Sequence, residues 1–136
     1  MTGVALGPHL HFEVRDGNNN GEDYYQTSNP ELWLIPKQNS LGKSFGALVL
    51  AVINAKEHYQ LVPVTLQYYP DANGEPQSTY DLTTYTAEVT RAGDNAGLGD
   101  LPPGQYRITL LFNGQLYERW VEVQSGKLTQ VVIVVK

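Results

Sequence analysis

The dipeptide Asn113-Gly114, set between two runs that alternate apolar and polar residues, constrains this chain more than any other feature. A two-residue hairpin turn of type I′ needs positive φ at both central positions, and Asn and Gly tolerate that best. The turn pairs Phe112 with Gln115, and that pairing sets the register of both strands. Tyr106, Ile108, Leu110 and Phe112 then share one face with Tyr117, Val121 and Val123. Gln105, Arg107 and Thr109 share the other with Glu118, Trp120 and Glu122. One face is apolar and the other is mostly wet. Arg119 falls on the apolar side, where it fits near a sheet edge with its stem lying flat and its head in water, or at a bulge.

Further apolar runs recur between turn signals, and strands are expected over 46–54, 62–69, 83–90, 105–112, 115–124 and 128–135. Residues 70–76 and 92–95 read as loops from their Gly, Pro, Asn and Asp content, and Leu101-Pro102-Pro103-Gly104 as a tight turn. Helix signals are nearly absent. Each half-polar sheet must hide its apolar face, so the expected fold is all-β: an antiparallel two-sheet sandwich of about seven strands. The first 36 residues have a different texture, dense in Gly, Asn, Pro and His. A boundary is placed in the polar stretch that follows, giving an N-terminal unit 1–36, a linker 37–42 and a sandwich 43–136.

Composition narrows the function. Lys and Arg number 9 against 14 Asp and Glu, a net charge of -5, which argues against nucleic acid as a partner. No cysteine is present, so thiol nucleophiles, disulfides and Cys-ligated zinc are excluded. No apolar run approaches the roughly 18 to 20 residues of a membrane span. Met1-Thr2-Gly3-Val4 does not open a secretory signal, so a signal for export would lie outside this chain.

The string Gly7-Pro8-His9-Leu10-His11-Phe12-Glu13-Val14-Arg15 carries the sharpest chemistry. On a strand, His9, His11, Glu13 and Arg15 project to one face and Leu10, Phe12 and Val14 to the other. Two imidazoles on one strand form part of a zinc site, but zinc takes three or four ligands and this strand supplies two at most. Two strand histidines satisfied by local hydrogen bonds are the plainer alternative.

Together with Thr2-Gly3 and Asn29-Pro30-Glu31-Leu32-Trp33-Leu34, this string resembles the C-terminal end of the catalytic domain of lysostaphin-type (LytM-like) zinc endopeptidases. Those enzymes cut peptide cross-bridges in bacterial cell walls. The resemblance covers residues 2–34 and implies that His11 is the zinc ligand, with His9 beside the metal, orienting water and stabilising the oxyanion. It also implies a strand pair within 1–36 left over from the peptidase β-domain, and a location outside the cell or in the bacterial envelope. The family further needs an upstream His-x-x-x-Asp motif and another histidine, which this sequence does not contain. Residues 1–136 are therefore expected to be inactive by themselves, to bind no zinc tightly, and to have the rest of a peptidase domain as their partner. The alternative is a non-catalytic wall-binding, carbohydrate-binding, protein-binding or spacer module. Phe12, Val14, Leu32, Trp33, Leu34 and Ile35 are too apolar to stay in water, so the 1–36 segment is expected to dock on the sandwich or to form a homodimer.

At the other end, Gly99-Asp100-Leu101-Pro102-Pro103-Gly104-Gln105-Tyr106-Arg107-Ile108, followed by a hairpin and a Val-rich last strand, resembles the carboxypeptidase regulatory-like or transthyretin-like (prealbumin-like) sandwiches. This resemblance covers residues 43–136 and implies an accessory module without chemistry of its own.

Weaker signals are present as well. Asp16, Asn18, Asn20 and Gly21 match the opening of a calcium loop, but its twelfth position is Thr27 where a bidentate Glu is needed. Asp71-x-Asn73-x-Glu75 reads as a loop, and His58 as an exposed turn histidine. Trp120 beside Arg107 on the wet hairpin face is the best candidate for a sugar-stacking or peptide-binding surface, with cation-π packing of the pair as the alternative.

Overall fold

The computed structural model describes residues 37–71, 73–86 and 93–136, together with the backbone of two short strands, β1 (Val14–Arg15) and β2 (Thr27–Ser28). β1 and β2 pair antiparallel, Val14 with Ser28 and Arg15 with Thr27, so a strand pair precedes the sandwich. Seven strands follow: β3 (Gly46–Asn54), β4 (Pro63–Tyr69), β5 (Ser78–Thr83), β6 (Ala96–Leu101), β7 (Gly104–Phe112), β8 (Gln115–Val123) and β9 (Leu128–Val135). They form a three-stranded sheet in the order β6-β3-β9 and a four-stranded sheet in the order β5-β4-β7-β8. The described residues are all-β, and the two sheets enclose one apolar core.

Alternation builds that core. Leu48, Leu50 and Val52 of β3 and Val131, Ile133 and Val135 of β9 point inward from the first sheet. Val64, Leu66, Tyr106, Ile108 and Leu110 meet them from the second. The hairpin has the expected register, with Phe112 opposite Gln115 and Ile108 opposite Arg119. Asn113 and Gly114 have φ of 49° and 77°, as a type I′ turn requires. Arg119 is exposed on the edge strand β8, where its head leaves the apolar side and donates to the Glu118 carbonyl at 3.1 Å. The edge position explains how a cation sits on that side of the hairpin.

Three features depart from the expected pattern. β3 and β9 run parallel, Ala47 beside Leu128 through Asn54 beside Val135, so one sheet is mixed rather than antiparallel. The strand expected over 83–90 begins earlier, at Ser78, and ends at Thr83; residues 87–90 lie outside the described residues. Tyr80 and Leu82 are its inward side chains, opposite Leu66 and Val64, and two apolar residues on an edge strand are a faint signal. β6, Ala-Gly-Leu-Gly-Asp-Leu, lies between the expected loop at 92–95 and the expected turn at 101–104, where no strand is expected because Gly is poor in strands. Its pairing with β3 and the inward Ala96, Leu98 and Leu101 hold it there.

Leu101-Pro102-Pro103-Gly104 is a tight connection, and it carries the chain from one sheet to the other. Two tyrosines pin it. The buried Tyr106 hydroxyl donates to the Pro102 carbonyl at 2.7 Å, and the Tyr68 hydroxyl donates to that of Pro103 at 3.2 Å. The two rings stack with centroids 5.0 Å apart. Gly104 has φ of 146°, and a Cβ there would stand 2.8 Å from Tyr68 Cε2, so this corner accepts only glycine without strain.

Candidate functional site

The outward face of the four-stranded sheet brings together the polar members of β4, β7 and β8. Register places Gln67, Arg107 and Trp120 in one row, and Tyr69, Gln105 and Glu122 in the next. Trp120 is 44% exposed. Its indole packs against the Tyr69 ring with centroids 4.9 Å apart and planes tilted by 57°.

Glu118 organises this face. Arg107 Nε donates to Glu118 Oε2 at 2.8 Å and Arg107 Nη2 approaches the same oxygen at 2.6 Å. Trp120 Nε1 donates to the other oxygen, Oε1, at 3.3 Å. Arg107 lies opposite Trp120 across the hairpin, and its head turns to the Glu118 carboxylate. The hydrogen bonds from Arg107 hold the Glu118 carboxyl below its ordinary range, and the Glu118 hydrogen bond raises the guanidinium in turn. Both groups are solvent-exposed, so the pair orients the indole more than it stabilises the fold. The result is an accessible surface of two tilted aromatic rings bordered by amide and guanidinium donors, groups that can stack on and hydrogen-bond a polyol or an extended peptide.

The other predicted site residues are placed as follows. His9 and His11 lie outside the described residues, as does the 16–26 part of the calcium-like loop. Among the described residues no three His, Cys, Asp or Glu side chains converge as metal ligands. His58 is exposed in the turn after β3, its N–H donating to Asn54 Oδ1 at 3.0 Å. Asp71 closes its own turn, Oδ1 accepting from Asn73 N–H at 3.0 Å. Among the described residues no helix is long and apolar enough to cross a membrane.

Sequence reasoning missed Tyr69 and Glu118 as the partners of Trp120. Glu118 was legible as a same-face neighbour two residues from Trp120, whereas Tyr69 comes from β4 and is brought there by sheet order alone.

Comparison with protein-family models gives no match, and comparison with curated proteins gives no significant match.

Proposed function

We propose that this chain joins the C-terminal end of a LytM-like zinc endopeptidase to an accessory β-sandwich of the prealbumin-like kind. The Gly7-Pro8-His9-Leu10-His11-Phe12-Glu13 string carries the reading. It is supported by β1, which continues the same run as extended backbone at Val14–Arg15. The donor chemistry fits: by that resemblance His11 would offer a neutral imidazole to the metal, and His9 would serve beside it, orienting water and donating to a developing oxyanion. When bound, zinc supplies a Lewis acid and a water acidified to near neutrality. The substrate class is the peptide cross-link of peptidoglycan, reached outside the cell or in its envelope. Full ligation in that family draws on a His-x-x-x-Asp motif N-terminal to this string, so hydrolysis belongs to a protein carrying both parts and residues 1–136 alone are inactive.

Zinc content of such a protein, measured before and after His11→Ala, tests the assignment. The variant should lose its metal; unchanged content removes His11 from the site. Wall lysis by purified residues 1–136 would contradict the division of labour.

The Tyr69, Trp120 and Arg107 surface favours a second reading of the sandwich, as the module that holds the enzyme on its polymer. Pull-down of residues 1–136 on purified peptidoglycan should retain the chain, and Trp120→Ala should release it. Equal retention of both would leave the sandwich as a spacer.

A further inference from the structure

Four side chains from three strands close a ring on the outward face of the four-stranded sheet. Trp120 packs on Tyr69, the Tyr69 side chain reaches the Arg107 guanidinium, Arg107 donates to Glu118, and Glu118 accepts from Trp120 Nε1. None of the four belongs to the core cluster, so the ring holds an exposed indole in place and fills no interior space. Beside it, Gln67 is the cross-strand neighbour of Arg107, and Gln105 that of Tyr69 and of Glu122. Among the described residues, the side chains of Gln67, Gln105 and Glu122 have no hydrogen-bond partner. The set spans two strand spacings, about 10 Å, by one two-residue repeat, about 7 Å, the size of one or two sugar rings.

We infer that the ligand of this face is a neutral glycan strand, stacked on Trp120 with its hydroxyls on Gln67, Gln105 and Glu122, an assignment that rests on reading the sandwich as a polymer anchor. A sugar ring offers C–H bonds on its faces, which suit an indole, and hydroxyls at its rim, which both donate and accept. Glutamine amides and a carboxylate answer them in both senses. Charge selects against the acidic parts of a wall polymer: Arg107 and Glu118 neutralise each other, and Glu122 leaves these two rows negative. An extended peptide pairs its backbone with an open strand edge, whereas β4 and β7 each have strands on both sides. Holding the polymer by its sugars would leave its peptide cross-links free for hydrolysis.

Residues 1–136, observed by amide and indole NMR, can be titrated with chitotetraose, with cellotetraose and with a sugar-free stem peptide of peptidoglycan. At least one tetrasaccharide should shift the Trp120 indole N–H and the Gln67 and Gln105 side-chain amides saturably, and the peptide should leave them in place. Trp120→Ala should weaken sugar binding about tenfold or more. Gln105→Ala, at an outward position, should weaken it about three- to tenfold with the remaining spectrum unchanged, and carries the test should the first variant fold poorly. Shifts from the peptide as large as those from the sugars, or none from either sugar, overturn the inference. Retention of the chain on whole peptidoglycan alongside such a result keeps the anchor reading and moves it to another surface, whereas loss of retention ends both.

Discussion

Asn95 and Thr84 share one acceptor: the Gln60 carbonyl receives Asn95 Nδ2 at 3.1 Å and Thr84 Oγ1 at 2.6 Å. Both side chains are fully buried. Asn95 also accepts from the Val52 N–H at 3.0 Å and donates to the Tyr85 carbonyl at 2.7 Å, and Thr84 Oγ1 accepts from the Val62 N–H at 2.8 Å. Two side chains thus stand in for ladder bonds where the chain leaves β5 for the other sheet. Asn95→Ala should cost about 3 kcal/mol and Thr84→Val about 1 to 3 kcal/mol, since each strands buried backbone groups. The double variant should lose less than the sum, because the partners overlap. Urea unfolding of the four proteins measures this; strict additivity would mean the Gln60 carbonyl couples nothing.

Tyr106 should govern alkaline stability. Burial first, then the neighbouring Tyr80 and Tyr68, push its phenol far above the ordinary tyrosine range. A group raised in the folded state contributes fully below its unfolded pKa, about 10, and loses that contribution as pH rises beyond it toward the folded value. Thermal stability should therefore fall above about pH 10. Tyr106→Phe should be less stable by about 1 kcal/mol at neutral pH, through loss of the bond to Pro102, and should fall less steeply in alkali. Equal slopes for the two proteins would assign the alkaline loss to other groups.

Gly46 is required by a close backbone approach rather than by its φ. A Cβ there would run into the Gln124 carbonyl oxygen and come within 2.6 Å of Val123 Cγ1. Gly46→Ala should destabilise by about 1 to 3 kcal/mol, whereas Gly42→Ala, with open space around it, should show only the smaller cost of positive φ, on the order of 1 kcal/mol. Denaturation midpoints of both variants compare the two costs.

The Arg107 and Glu118 pair should be visible as a titration sensed by Trp120. The Glu118 carboxyl is held below its ordinary value of 4.5, so its contribution is present above that value and is lost as pH falls through the lowered folded one. The indole N–H resonance of Trp120, bonded to Glu118 Oε1, should shift with a midpoint below 4.5. Arg107→Gln should move that midpoint upward. An unchanged midpoint would show that the guanidinium does not hold the carboxylate in solution.

Much of the sandwich was readable from local pattern. β3 and β9 have the bounds that their apolar runs predict, and the Asn113-Gly114 turn placed every cross-strand pair of β7 and β8. Arg119 was legible as either an edge residue or a bulge, because a cation on the apolar side of a strand needs a way to water, and the sheet order chose the edge. The candidate surface was half legible: Arg107 and Trp120 share a face by register, while the aromatic partner of Trp120 comes from a strand some fifty residues away.

Residue order alone settled what depends on near neighbours: the all-β class, the hairpin and its register, and the alternation that separates a wet face from an apolar one. Turn sterics and the two-residue strand period act within a few positions, so they are written directly in the chain. Only the assembled sheets decided that β3 and β9 run parallel, that glycine-rich β6 is a strand, and that the side chains of Asn95 and Thr84 are buried. Those outcomes arise because distant segments supply the missing hydrogen-bond partners, and a buried backbone group takes whichever partner the packed structure brings within reach.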